Sequence, residues 1–356
     1  MTTASQKMIQ AIQHVVKSVG IGTNLNLFNL LWAMVSGSFL SSRGTVHLAL
    51  KLSGCTDAQI KRASESLRTG QWQIGELIAN WREYIEQETD WERKEYEGWY
   101  VVSADVVVFP RLKLKGWIGK LYRGTFGKAI KAVGIGVIVD IGHYGGWRIP
   151  LIRGLVRSQN REGSEKLLKK ALLKKTVRIM RPNEVLTHDA GATVNDMREA
   201  GVANYVIRLA KNCVARRNYL PENAHGNRQY GDEIRPRARM REGVLIEATN
   251  DPDLKTSFEW QGRTIEAHCW RDVVTHGDKV SDEATPYDKW LFLILCLKNH
   301  GSWRLQSKQM VKQFLQFILT AGLLNSSHWW QNSELDYVAN MYRNQSVVGG
   351  YLNWLS

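Results

Sequence analysis

The stretch Trp99–Pro110, reading Trp-Tyr-Val-Val-Ser-Ala-Asp-Val-Val-Val-Phe-Pro, constrains this chain more than any other. Its β-branched run predicts a strand covered on both faces, stopped by Pro110. Asp105 sits in the middle, where a lone carboxylate is costly unless it is paired, protonated or bound to a metal. The segment that follows carries Arg111, Lys113, Lys115, Lys120, Arg123, Lys128 and Lys131 and no acid. A carboxylate beside a polycationic segment points to a metal site that receives a phosphate backbone.

With 356 residues the chain has room for two or three domains and a substantial core. Its formal charge of +14 makes a polyanion the expected partner, and both nucleic acid and an anionic membrane surface meet that requirement. The 14 tryptophans favour packed or stacking surfaces over a disordered basic tail. Cys55, Cys213, Cys269 and Cys296 are far apart with no Cys-x-x-Cys pair, so neither a zinc site nor a disulfide framework is indicated and a reducing compartment is expected. No secretory signal opens the chain. The most apolar early segment, Leu25 to Leu40, is too short to span a bilayer and is interrupted by Asn29, Ser36, Gly37 and Ser38. The expectation is a soluble cytoplasmic protein with no membrane partner.

Residues 1–97 read as a helical domain suited to DNA binding. Met8, Ile9, Ile12, Val15 and Val16 recur at helical spacing, as do Leu25, Phe28, Leu31, Met34 and Val35. Breaks fall at Ser41–Gly44, Gly54–Asp57 and Gly70–Gln71, and Trp72–Trp91 reads as an amphipathic helix with Leu77, Trp81, Tyr84 and Ile85 inward. From Trp99 the period becomes that of strands. Lys131–Ile141 and Trp147–Val156 are apolar runs joined by Gly142-His143-Tyr144-Gly145-Gly146, a hairpin signal.

Glu165–Met180 is a helix with Leu167, Leu168, Ala171, Leu172, Leu173 and Val177 on one face and lysines around it; the plainer reading of those lysines is a solvated face. Glu184–Asp189 is a short strand ending in a second acid, Thr193–Ala200 a helix and Tyr205–Leu209 a strand. A β-meander leading into a β-α-β unit predicts a mixed sheet with flanking helices over residues 98–210. Such sheets place their chemistry at the carboxyl ends of central strands. Residues 211–285 read as a basic β-rich insertion, with strands expected at Gly243–Ala248, Ser257–Gln261 and Thr264–Val274. Its arginines, among them Arg216, Arg217, Arg237 and Arg239, form either a backbone clamp for DNA or a solvated loop.

Two acids on adjacent central strands, Asp105 and Asp189, would supply oxygen ligands for two-metal phosphoryl transfer. Val-Val-Ser-Ala-Asp-Val-Val-Val-Phe at 101–109, Leu-Thr-His-Asp-Ala-Gly-Ala at 186–192 and Leu-Leu-Trp-Ala-Met-Val-Ser-Gly-Ser-Phe-Leu-Ser-Ser-Arg-Gly at 30–44 resemble bacterial insertion-sequence transposases of the DDE type. The resemblance runs from about residue 20 to about 290. It implies a ribonuclease H-like α/β catalytic domain interrupted by a β-strand insertion before a third acid. It also implies cleavage of double-stranded DNA at transposon ends and strand transfer to target DNA, with Mg²⁺ or Mn²⁺ held by Asp105 and Asp189. A homodimer in the DNA complex and a bacterial, nucleoid-associated location go with it. On the same reading Arg111, Lys113, Lys115, Arg123, Lys128, Arg216, Arg217, Arg237 and Arg239 are the candidate DNA contacts.

The third acid departs from the family's pattern, which has it in a phrase like Asp-Arg-Trp-Pro-Val-Glu-Gln on a late helix. After Asp288 this chain has only Glu334 and Asp336, in neither case within such a phrase, and residues 286–356 form an atypical tail rich in Ser, Asn and Gln. Codons permitted for Leu319–Ser326, read one base earlier, can encode Thr-Asp-Arg-Trp-Pro-Val-Glu-Gln. The tail from about Leu291 therefore reads as an out-of-frame ending, which leaves a transposase without its third acid. The competing reading has Glu334 serve from a helix over Ser333–Tyr342. Two further expectations compete at the level of function: a catalytically dead DNA-binding protein, and a structure-selective nuclease or resolvase on the same sheet.

Overall fold

A computed structural model describes residues 3–42, 44–96, 98–113, 120–123, 126–158, 164–188, 191–207, 213–235, 238–249, 251–260, 263–280 and 290–297. Helices α1 (Thr3–Val15), α2 (Ile21–Val35), α3 (Ser38–Ser41), α4 (Val46–Leu52), α5 (Asp57–Thr69) and α6 (Ile74–Glu88) fill the N-terminal segment. The apolar spacing of α1 holds, with Ile12, Val15 and Val16 buried against Leu27, Leu30, Leu31, Leu50, Ile60 and Leu77. Capping sets the boundaries. Gly54 ends α4 in the left-handed region (φ 84°), and Thr56 with Gln59 forms a capping box that starts α5. Asn80 of α6 donates 2.9 Å bonds to the Val15 carbonyl and to Ser18 Oγ, taking up the end of α1.

α2 departs from its expected face. Leu31 is buried, yet Leu25 and Val35 are exposed, and the residues that reach the core are Leu27, Leu30, Leu31 and Ala33. Because the helix is apolar nearly all round, its spacing could not say which side turns inward.

Strands β1 (Glu92–Arg93), β2 (Glu95–Tyr96), β3 (Trp99–Pro110), β4 (Lys120–Arg123), β5 (Lys128–Tyr144) and β6 (Trp147–Arg157) follow. β5 is the long spine: β3 pairs antiparallel with it from Val102↔Asp140 to Pro110↔Ala132, and β6, β4 and β1 pair with it as well. The hairpin is tighter than expected, with Tyr144 opposite Trp147. Gly145 and Gly146 both have positive φ (55° and 80°), as a two-residue primed turn requires. At Gly142 a Cβ would lie 2.3 Å from the Trp91 indole, so glycine there lets the ring sit flat on β5 while its Nε1 donates to the Ile149 carbonyl.

Next come α7 (Glu165–Ile179), β7 (Glu184–His188), α8 (Val194–Ala200) and β8 (Tyr205–Ile207). β7 and β8 pair in parallel, which makes the sheet mixed. On α7 the inward face is Leu168, Leu172, Leu173 and Thr176, whereas Leu167 and Ala171 turn outward. A β-rich segment closes the described chain: β9 (Ala215–Arg217), β10 (Glu233–Ile234), β11 (Arg239–Arg241), β12 (Val244–Ile246), β13 (Leu254–Trp260), β14 (Arg263–Thr275) and β15 (Trp290–Leu297). β15 pairs with β14 from Ile265↔Leu297 to Val273↔Trp290. The β-rich segment thus reaches Leu297, past the expected limit of 285 and into what read as the start of the tail.

The fold is therefore mixed α/β. Its described residues divide into two compact units, Met1–Lys94 with Val102–Leu168, and Glu95–Val101 with the chain from Lys169. The helical segment is not a unit of its own: α6 packs on β6, and a buried ion cluster described below joins helix to sheet.

Candidate acidic site and nucleic-acid interface

Asp105 occupies the middle of β3, opposite Val137 of β5. Val101, Val102 and Ala104 are buried, so both faces of the strand are covered up to this point. From Asp105 to Pro110 every residue is half-buried. The cover expected over the whole run thins where the carboxylate stands, which is how an acid is accommodated in a valine-rich strand. Its Oδ1 accepts a 2.7 Å bond from the Val106 N–H. The donor set is hard oxygen, the chemistry that Mg²⁺ or Mn²⁺ takes.

Asp189 lies outside the described residues, as do Lys115, Arg237, Glu334 and Asp336 and the stretch from Leu319 to Ser326. All of β7, ending at His188, is buried. Beyond it the Gly191 carbonyl accepts a bond from Lys169 Nζ, Ala192 is buried, and Thr193 with Asp196 forms the capping box that starts α8. In the same unit Arg198 of α8 holds Asp278 with both guanidinium nitrogens, at 3.0 and 3.4 Å.

The basic segment after β3 forms a ribbon on β5. Lys120 stands opposite Lys131, and Arg123 opposite Lys128. The register places basic residues on both strands of this ribbon, which makes it a concentrated source of positive charge. Lys120 and Lys128 are exposed, as is Lys113. Arg111 is half-buried, and its Nη1 donates to the Pro110 carbonyl at 3.1 Å.

The arginines of the β-rich segment behave otherwise. Arg217 is 5% exposed, with Nη1 2.7 Å from Asp253 and its guanidinium over the Tyr219 ring. Burial opposes its charge, the hydrogen bond and field of Asp253 favour it, and the balance holds its pKa above the ordinary arginine value. Arg217 is thereby withdrawn from the candidate DNA contacts, because a guanidinium spent on an internal carboxylate has little left for phosphate. Arg216 donates to the carbonyls of His276 and Gly231 and lies over Tyr230, so it too braces the segment. Arg228 pairs with Asp232, and Arg235 with Glu233. Arg239 is half-buried in the β11–β12 ribbon, opposite Ile246. Of the four arginines expected in a clamp, Arg216 and Arg217 are engaged with acceptors of their own segment.

One cluster escaped the sequence reading. Asp140 of β5 is completely buried, and guanidinia reach it from α6, β1 and β6: Arg82 at 2.7 Å, Arg93 at 2.8 Å and Arg153 at 3.2 Å. Arg82 also holds Glu86 at 2.9 Å. The signal was present in Ile-Gly-Val-Ile-Val-Asp-Ile, an acid in an apolar run like the one around Asp105.

Among the described residues no group of three His, Cys, Asp or Glu side chains converges, no helix is long and apolar enough to cross a membrane, and Cys55, Cys213 and Cys269 are free thiols. No family model, curated protein or solved structure matches the chain.

Proposed function

We propose that this chain is a DNA transposase of the DDE type by descent, with a ribonuclease H-like core, whose activity is very low or absent because its third catalytic acid is missing. The observation that carries the reading is the arrangement of the sheet. In one unit β3, with Asp105 at its middle, pairs with β5 in an antiparallel meander β3-β5-β6; in the other, a parallel β7-α8-β8 element has a first strand that stops at the residue before Asp189. The opposed cations of β4 and β5 add a surface suited to a phosphate backbone.

Asp105 and Asp189 would hold Mg²⁺ or Mn²⁺, and two-metal chemistry supplies activation of the attacking hydroxyl and stabilisation of the leaving oxygen. The residues' own part in this reading is to supply hard oxygens, Asp105 from within β3 and Asp189 from the chain directly after β7. The second reading is a DNA-binding protein that has lost catalysis; the ribbon supports it as much as the first, since a concentration of basic residues serves binding with or without cleavage.

The test is metal uptake, duplex binding and cleavage by the full chain. Mn²⁺ uptake that is lost in both Asp105→Asn and Asp189→Asn, with salt-sensitive duplex binding and no cleavage product, is the expected result. Uptake indifferent to both substitutions would remove the acid pair. A Mg²⁺-dependent product abolished by Asp105→Ala would overturn the loss of activity, and sequence-specific binding with no metal dependence would favour the second reading.

A further inference from the structure

α6 ends at Glu88, beside a hollow of about 580 Å³ that α1 and the end of β5 complete. Two tyrosines line it. Tyr84 is fixed in place: its hydroxyl donates to the Lys7 carbonyl of α1 at 3.2 Å, and its ring lies 5.6 Å from His14 and stacks with Trp81 at 6.3 Å. Tyr144, the last residue of β5, is 46% exposed and stands opposite Trp147, which is 76% exposed. The rings at this end of the sheet are therefore open to a ligand from solvent.

The electrostatics of the hollow run against the chain's surplus of positive charge. Glu88 and Asp90 also line it, and among the described residues neither makes an ion pair or a side-chain hydrogen bond. Earlier on α6, by contrast, Glu83 is held by Lys17 and Glu86 by Arg82. The last turn of α6 has no basic residue, so the negative end of its dipole adds to the two carboxylates, where a helix is ordinarily met by a cation. Burial, and then the field of Glu88, raise the Tyr84 phenol above its ordinary value. Lys7 lies on the same rim but pairs with neither acid.

A negative hollow with aromatic walls selects an organic cation, because carboxylates take the charge while the rings take both ammonium and apolar stem. A divalent metal is a poor occupant, since no three His, Cys, Asp or Glu side chains converge among the described residues. Phosphate is repelled by the same two acids. The volume is that of a small-molecule site, and two unpaired carboxylates match two ammonium groups on one stem. We propose that this hollow binds a linear di- or polyamine, with Glu88 and Asp90 taking its ammonium groups and Tyr84 and Tyr144 packing on the methylenes between them. The proposal is independent of the catalytic reading, which uses none of these residues.

Calorimetric titration of the full chain with spermidine, in the absence of DNA, tests it. The wild type is expected to bind one equivalent saturably. Glu88→Gln and Asp90→Asn are each expected to weaken binding about fivefold, and Tyr144→Ala about threefold. Lys7→Met removes a competing ammonium and is expected to strengthen binding about twofold. All four positions are exposed, so far-ultraviolet circular dichroism should not change. No saturable binding, binding that survives Glu88→Gln combined with Asp90→Asn, or displacement of spermidine by an equal concentration of Mg²⁺ overturns the proposal. So does binding of a lysine-rich peptide with none of spermidine, which would assign the hollow to a protein partner.

Discussion

The β4–β5 ribbon and the arginine-rich part of the β-rich segment look alike as composition and behave as opposites. In the ribbon, cations stand across from cations, Lys120 from Lys131 and Arg123 from Lys128. In the β-rich segment Arg216, Arg217, Arg228 and Arg235 each meet a carbonyl or carboxylate of the same segment. The Asp140 cluster belongs with the second kind, carrying its guanidinia inward. Arginine's planar fork suits fixed internal acceptors, whereas lysine's hydrated ammonium stays at the surface. A count of basic residues therefore overstates the cationic surface, since several arginines among the described residues are turned to internal acceptors.

The largest effect expected from this contrast is at Asp140. Asp140→Ala leaves its guanidinia clustered without their anion and should cost about 3–5 kcal/mol, read as a fall in the urea midpoint with unchanged slope. Arg217→Met strands a partly exposed Asp253 and should cost less, about 1–3 kcal/mol, with no loss of duplex affinity; an affinity loss in the folded variant would return Arg217 to the interface.

Lys120→Glu inverts the pattern. It turns an opposed pair into an attractive one and should leave stability unchanged or raise it by a few tenths of a kcal/mol. Duplex affinity should fall and the salt slope should drop by roughly one contact; an unchanged slope would move the interface elsewhere.

The smallest effect concerns His143, which stands opposite Arg148 in the hairpin. Burial first, and then the fields of Lys94 and Arg148, hold its pKa below the ordinary 6.5. The unfolded chain then takes up a proton that the folded chain resists. Stability is full above the ordinary histidine value and declines as pH falls through it. His143→Gln should flatten that part of the stability–pH curve, and a curve of unchanged slope would show that the imidazole contributes nothing.

Much of the architecture was legible because it rests on local signals. Helix breaks, Gly-Gly at the hairpin and β-branched runs act within a few residues, and α5, β3, β6, α7 and α8 lie close to where these signals put them. Asp105 was legible for the same reason, as a carboxylate conspicuous in a valine-rich run. Asp140 gave a comparable signal and went unread, because its partners come from Arg82, Arg93 and Arg153 on three separate elements and no spacing connects them.

Orientation was the part that periodicity could not supply. Leu25 and Leu27 are equally apolar, and only the packing of neighbouring helices decides that one is buried and the other exposed. The linear chain contained the elements, the surplus of positive charge and the acid in its valine strand, since each is a property of adjacent residues. Which charges hold the molecule together and which face outward was settled by long-range pairing, because an ion's role depends on the residues that folding brings to it and not on those beside it in the chain.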